Sequence, residues 1–378
     1  MTEHLDYYLD KNLSPVEQDL SDFRRHLDRR EALYRSLGLH SNAIKGKRVL
    51  EVGPGSGQNS LHVAHSMPEE LVLVEPNPKG REQIKKNYKS MNLPLTEPIV
   101  DSTDFIDYKR EGDKFDIAIA ECWLGRTSLG LDMLRKLLDS VILGGVVITT
   151  ATPNVGLLAT TCRAALAYRL VSEKEMSFEE KTKTLVEAFS GHLDTLDNMS
   201  RLQLDWIQDN LLNPAALSEV IHPIELLSLY ENANILGTYP LIFESWQWYK
   251  DLYGKDLNRG KAWTQQYWEK SHNFIDVYNI SGPKNSDRNR LLETTSRSLS
   301  ERVIKIREHG SPDAKLIQIA EEIKNLLPKE YSQIVRALDE WEDVYSKDII
   351  SIENIVNMPV FSKWFGRETV YMSFVRVN

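Results

Sequence analysis

Three glycines set two residues apart could bring backbone close to a ligand: Gly53, Gly55 and Gly57, in the run Val49-Leu50-Glu51-Val52-Gly53-Pro54-Gly55-Ser56-Gly57. Glycine lets the chain turn sharply there, and it has no side chain to hold a ligand off. Two kinds of nucleotide site use such a loop, and both space it differently. A dinucleotide fingerprint needs glycine or alanine three residues after Gly55, where Gln58 stands. A phosphate-cradling loop needs Gly-Lys-Ser/Thr after four intervening residues, and that is absent too. The loop therefore suits an uncharged adenosyl group with a methionine tail better than a pyrophosphate. Glu75 ends a second apolar run, where a carboxylate in an open α/β sheet can take both hydroxyls of a ribose. Its distance from the loop fits NAD as well as S-adenosylmethionine. Asp101 with Ser102 ends a third run and is the candidate for contact with adenine.

These residues need strands that end on one edge, and the pattern supplies them. Lys47 to Val52, Leu71 to Val74, Pro98 to Val100, Asp116 to Ala120 and Val146 to Thr150 read as strands, with helices at Lys79 to Ser90 and Leu129 to Leu138. Such alternation implies a parallel sheet covered on both faces. Before it, residues 14–38 read as a helix opened by Ser14 and Pro15, with Leu20, Phe23, Leu27, Leu33 and Leu37 at near-helical spacing. After Pro153 the pattern turns helical, with a Ser177/Glu180 capping box and Pro214 opening a further helix. Ile235 to Phe243 and Thr369 to Val377 read as strands again, and Ser311-Pro312-Asp313 opens a helix between them. The apolar stretch Val141 to Val171 is broken by Pro153, Asn154 and Arg163, so it reads as a strand and a helix rather than a membrane span. Net charge of −9 in 378 residues argues against a general nucleic-acid binder. Cys122 and Cys162 form no metal motif or disulfide framework and read as reduced, buried thiols. No signal peptide is visible, and a cytoplasmic location is expected.

In that order the motifs resemble class I S-adenosylmethionine-dependent methyltransferases across residues 47–150. Glu51 to Gly57 looks like their first motif, Glu75 is similar to their ribose-binding acid, and Asp101 to their adenine-proximal acid. Phe115 to Glu121 resembles the fourth-strand motif, and Leu143-Gly144-Gly145-Val146-Val147 the turn into the fifth strand. The resemblance implies an α/β fold: a Rossmann-like sheet of seven strands, the last antiparallel, with a large mainly helical insertion. It also implies S-adenosyl-L-methionine as cofactor, held by Glu51, Gly53, Gly55, Gly57, Glu75, Asp101, Ser102 and Glu121. The fourth strand continues Glu121-Cys122-Trp123-Leu124, without the Asn/Asp-Pro-Pro-Tyr/Phe motif that holds a planar nitrogen, which disfavours DNA bases and glutamine amides as acceptors. A narrower resemblance is to bacterial class I methyltransferases that accompany surface-polysaccharide enzymes. It is carried by Glu121 to Gly125, His192 to Leu196, Asp205 to Asn210 and His272-Asn273-Phe274.

Methyl transfer from a sulfonium needs mainly alignment and exclusion of water, and a sugar hydroxyl also gains from a base. His192 and Asp194 are the first candidates for that base and His272 the second. His222, before a proline, reads as structural. Trp123, Trp246, Trp248 and Tyr249 are candidates for holding a small-molecule or glycan acceptor, with packing the equal alternative for the last three. The expected organisation is a helical segment at 1–45, a cofactor core at 46–153, a helical cap at 154–232, a core strand at 233–245, an aromatic and helical insertion at 246–365 and a final strand at 366–378. The charged helices of 286–350 are expected to pack on the core or form a homodimer contact. A nicotinamide-dependent oxidoreductase and a non-catalytic binding protein on the same fold are the alternatives. Gln58 and the lack of a Tyr-x-x-x-Lys pair after the fifth strand count against the first.

Overall fold

A computed structural model describes residues 3–14, 17–91, 93–171, 175–218, 220–227, 233–244, 246, 248, 250, 259–307 and 310–377. The chain begins with α1 (Glu3–Asp10), α2 (Phe23–Ser36) and α3 (Ser41–Ile44). There follow β1 (Arg48–Val52), α4 (Ser60–His65), β2 (Glu70–Val74), α5 (Pro78–Ser90), β3 (Ile99–Asp101), β4 (Phe115–Ala120), α6 (Gly130–Asp139) and β5 (Val141–Ala151). Then come α7 (Asn154–Val171), α8 (Phe178–Leu193), α9 (Gln203–Ile207), α10 (Pro223–Leu227) and β6 (Ala233–Tyr239). Last are α11 (Arg259–Lys270), α12 (Ser286–Ile306), α13 (Ala314–Leu326), α14 (Ser332–Tyr345), α15 (Ile352–Val356) and β7 (Val370–Arg376).

Strands β1, β2 and β4 are buried almost end to end, as both-face coverage requires. The sheet order is β3-β2-β1-β4-β5-β7-β6, with β7 antiparallel to both β5 and β6. This is the seven-stranded, Rossmann-like class I methyltransferase sheet, and the fold agrees with the expectation. Glu51 pairs with Leu73 on one side and Ile119 on the other, so β1, β2 and β4 end together. Gly53, Glu75 and Glu121 therefore leave the sheet on the same edge. Beneath that edge Leu37, Val49, Leu71, Leu73, Ile84 and Ile119 share one core cluster.

Several boundaries differ from the sequence reading. Helix α2 starts at Phe23, not Ser14, because Asp22 caps it and the Asp19 carboxylate holds the Ser21 N–H in a turn just before. It ends on left-handed Gly38 (φ 77°), where the Leu39 and Gly38 N–H groups return to the carbonyls of Tyr34 and Arg35. Strand β5 begins at Val141, and Gly144-Gly145 lies inside it as an irregularity against Phe115/Ile117 rather than as a turn into it. Strand β6 stops at Tyr239 because Pro240 has no N–H to add to a ladder. Cys162 is buried, as expected, but Cys122 is exposed.

The chain divides into two compact units, Met1–Ala151 with Glu219–Trp263 and Thr369–Asn378, and Thr152–Ser218 with Thr264–Glu368. The first contains the sheet. In the second, α7 is buried on every face, and α12 and α14 are among the elements packed on it. The Glu293 carboxylate caps its start, accepting from the Asn154 and Val155 N–H groups. Midway along, the buried Arg163 guanidinium lies over Phe365 and donates to the Trp364 carbonyl at 2.8 Å. Capping boxes at Ser177 and Ser351 start α8 and α15. No described helix is long and apolar enough to cross a membrane.

Candidate functional site

The glycine loop leaves β1 with Gly53, Gly55 and Gly57 all left-handed, at φ of 66°, 60° and 72°. The loop is held rather than free. Glu75 Oε2 accepts the Gly55 N–H at 2.8 Å, and Oε1 accepts the Asn77 N–H at 2.8 Å. Asn77 in turn caps α5, with Pro78 in the first turn. A methyl group on Gly80 would lie 2.9 Å from the Gly55 carbonyl oxygen, so glycine lets this helix start beside the loop. Each Glu75 oxygen keeps a further lone pair, as a ribose-binding carboxylate needs. Burial pushes the Glu75 carboxyl up to about 7, against the lowering effect of its two N–H bonds.

At the end of β4, the Glu121 carboxylate meets two side chains from α2. Arg30 Nη2 donates to both of its oxygens at 2.7 and 2.9 Å, and the Tyr34 hydroxyl donates at 2.9 Å. The pair is nearly dry, with side-chain exposures of 8% and 9%. Burial by itself would lower the Arg30 pKa, but Glu121 holds it well above its ordinary value. Burial raises the Glu51 carboxyl to about 7, with the Glu121 charge next in effect. Glu51 Oε2 and Arg30 Nε are buried and have no hydrogen-bond partner among the described residues. A left-handed glycine loop, a buried ribose-type carboxylate, and stranded polar atoms of opposite sense fit an adenosyl group with an amino-acid tail.

Asp101 lies where its sequence position suggested, but its Oδ1 accepts the Thr103 N–H at 2.7 Å and so fixes the turn. Ser102 is exposed beside it. Trp123 donates from Nε1 to the Val52 carbonyl at 2.8 Å, and its ring fills the space above Gly53, where a Cβ would come within 2.5 Å. It is thus part of the loop's own packing. Cys122 is left-handed (φ 64°) and exposed, its N–H bonded to Thr150 Oγ1 and its sulfur 3.9 Å from the Tyr371 hydroxyl.

The proposed bases are placed otherwise. His192 is 1% exposed, packed edge-on against Phe189 and Phe361, and its Nε2 bonds the Ile355 carbonyl at 3.0 Å. Burial, then Arg163, lowers it to about 3. His272 is wholly buried, with Nε2 on Ser281 at 2.9 Å and Nδ1 on the Asn289 amide nitrogen at 3.0 Å. Since Asn289 donates, the ring is neutral with its proton on Nε2. Burial, then Lys284, lowers it to about 4. An acceptor must reach its base, and neither ring is exposed. Asp194 caps α8, exposed, and accepts from Gln203 at 2.6 Å. Trp246 is 95% exposed and Trp248 59%, both on the segment after the edge strand β6, while Tyr249 lies outside the described residues.

The sequence reading missed Arg30 and Tyr34. The signal was present: Leu27, Arg30, Tyr34 and Leu37 share helical spacing, and an arginine in an apolar stripe needs a buried anion.

No family model matches the chain, and no curated protein is similar to it. Solved structures do show likeness. The N-methyltransferase NodS from Bradyrhizobium japonicum WM9, in complex with S-adenosyl-L-homocysteine, is 17% identical over 41% of this chain and 75% of its own, with a TM-score of 0.29. Magnesium protoporphyrin IX methyltransferase from Synechocystis PCC 6803 is 14% identical over 36% and 66%, with a TM-score of 0.29. A candidate S-adenosylmethionine-dependent methyltransferase from Listeria monocytogenes is 14% identical over 35% of this chain, at a TM-score of 0.28. The match spans only about half of that Listeria chain, 56%. The fold rests on the strand order itself.

Proposed function

We propose that this protein is an S-adenosylmethionine-dependent methyltransferase that O-methylates a sugar, a glycan precursor or another small molecule. The observation that carries the cofactor is Glu75, buried at the end of β2 and tied to the second glycine of the loop through Gly55 N–H. When bound, the cofactor supplies a sulfonium methyl group, an electrophile that needs no metal from the protein. Glu75 takes the ribose hydroxyls, and the loop from Gly53 to Gly57 gives the ligand backbone contact without side chains. Ser102 and the Asp101 turn lie at the adenine edge, while Glu51 and Glu121 meet the amino-acid tail. Trp123 packs over the loop's first glycine and donates to the Val52 carbonyl.

The acceptor assignment rests on the narrower resemblance and on the absent planar-nitrogen motif. Trp246, 95% exposed, offers a flat face for a sugar ring, while Lys250 lies over the ring of Trp248. Neither buried histidine is given the part of base.

Thermal shift of the full chain with S-adenosylmethionine, S-adenosylhomocysteine and NAD tests the cofactor. Stabilisation by the two adenosyl ligands is expected, and stabilisation by NAD alone would end the reading. Transfer of a labelled methyl group to sugar acceptors tests the second half.

A further inference from the structure

Glu75 is 4% exposed, and the flanking Gln58 and Asn77 are 7% and 3% exposed. A ribose therefore has to displace part of the cover before it can reach that carboxylate. The chain ahead of α2 supplies a cover that can be displaced. At one end it is tied to α1, where Tyr7 and Tyr8 are buried and the Lys11 and Leu13 N–H groups return to their carbonyls. At the other end Leu20 and Phe23 pack on the core cluster. Between these anchors, side chains from both walls of the proposed ribose site reach it. Lys79 and Asn77, at the start of α5, donate to the carbonyls of Asn12 and Leu13. One turn on, Gln83 donates to the Glu17 carboxylate. From the glycine loop, Gln58 Oε1 accepts the Gln18 N–H, while His26 Nε2 donates to the Gln58 carbonyl at 3.0 Å. Gln58 stands where a dinucleotide loop would have its third glycine, and here it ties the loop to the chain ahead of it. Single side-chain hydrogen bonds give way far more readily than buried apolar anchors, so the ties open before the ends do.

We propose that residues 11–14 and 17–18 form a strap across the adenosyl site, latched by Gln58, Asn77, Lys79 and Gln83, which opens to let the cofactor in and its demethylated product out. The proposal rests on the cofactor reading above. The strap acts through the walls of the site, so it sets the rate of exchange more than the affinity.

Stopped-flow binding of S-adenosylhomocysteine to the full chain tests it with Glu17→Ala and Gln83→Leu, which lie outside the proposed cofactor contacts. Each is expected to speed association and dissociation together by about tenfold, the value of one charged hydrogen bond, and to keep Kd within about twofold. The double variant should be no faster than either single one. Faster dissociation alone, with Kd weakened by the same factor, would make the segment a fixed wall of the site, and unchanged rates would make it a structural arm. Either result overturns the proposal. In the ligand-free protein the same variants are expected to raise amide hydrogen exchange at residues 12–14 and 17–18, which reads the latch without any cofactor. Exchange as slow as in the unaltered chain likewise overturns it. Failure of the unaltered protein to bind any adenosyl ligand would end the cofactor reading, and the gate with it.

Discussion

Glu75 holds the glycine loop through the Gly55 N–H and, as the proposed ribose carboxylate, sets a pH dependence. Burial raises its carboxyl to about 7, and the protonated form gives up one of the acceptor positions that two ribose hydroxyls need. Below that value, ligand binding must first remove a proton. Affinity for S-adenosylhomocysteine is therefore expected to rise as pH climbs through about 7 and then level off. Glu75→Gln should bind more weakly and lose its share of that pH dependence between pH 6 and 8, the remainder belonging to Glu51, whose carboxyl burial also raises to about 7. His192 acts in the same direction, but through stability. Its folded pKa of about 3 lies below the ordinary 6.5, so its contribution is complete above 6.5 and is lost as pH falls towards 3. His192→Gln is expected to lower the melting temperature at pH 7 and to flatten the acid limb of stability. With the remaining folded protein, methyl transfer should keep its kcat. A hundredfold loss of kcat at unchanged stability would restore the ring as a base.

Elements enter through the charges they exchange. Helix α2 meets the sheet through Arg30 and Glu121, so removing one partner leaves the other charge buried and unpaired. Arg30→Met alone is expected to cost about 3–5 kcal/mol in denaturant unfolding, and Arg30→Met/Glu121→Gln clearly less. In the helical unit, close backbone approach plays the same part. A Cβ on Gly156 would stand 2.2 Å from the Arg367 carbonyl oxygen, and one on Gly366 would stand 2.0 Å from the Gly156 oxygen. Neither contact can be relieved by turning a side chain. Gly156→Ala is expected to destabilise by about 2 kcal/mol or more, measured by the same unfolding curves.

For the whole molecule, the consequence of two units is a local footprint. S-adenosylhomocysteine is expected to slow hydrogen exchange at residues 53–58, 75–80, 101–102 and 121–123, all in the sheet unit. Protection confined to α7 and α12 would mean that the ligand is held by the helical unit. That unit is built from two stretches of chain, 152–218 and 264–368, which the sequence reading had treated separately as a cap and an insertion.

The sheet was legible because its signals are local. Short buried strands alternate with helices, glycine marks a left-handed loop, and a carboxylate at a strand end follows from strand periodicity alone. Gly53, Gly55, Gly57 and Glu75 could thus be named from spacing. Boundaries were less legible where one residue's hydrogen bonds decide them, as Asp22 does for α2 and Pro240 for β6. Histidine roles were not legible at all, because a base and a packed imidazole have the same sequence and differ only in burial. Arg30 and Glu121 lie 91 positions apart and meet because α2 packs on the sheet. The sequence by itself determined the strand order's raw material and the left-handed glycine loop. Only the tertiary structure decided which charges are buried together, since desolvation and pairing depend on neighbours brought in from distant parts of the chain.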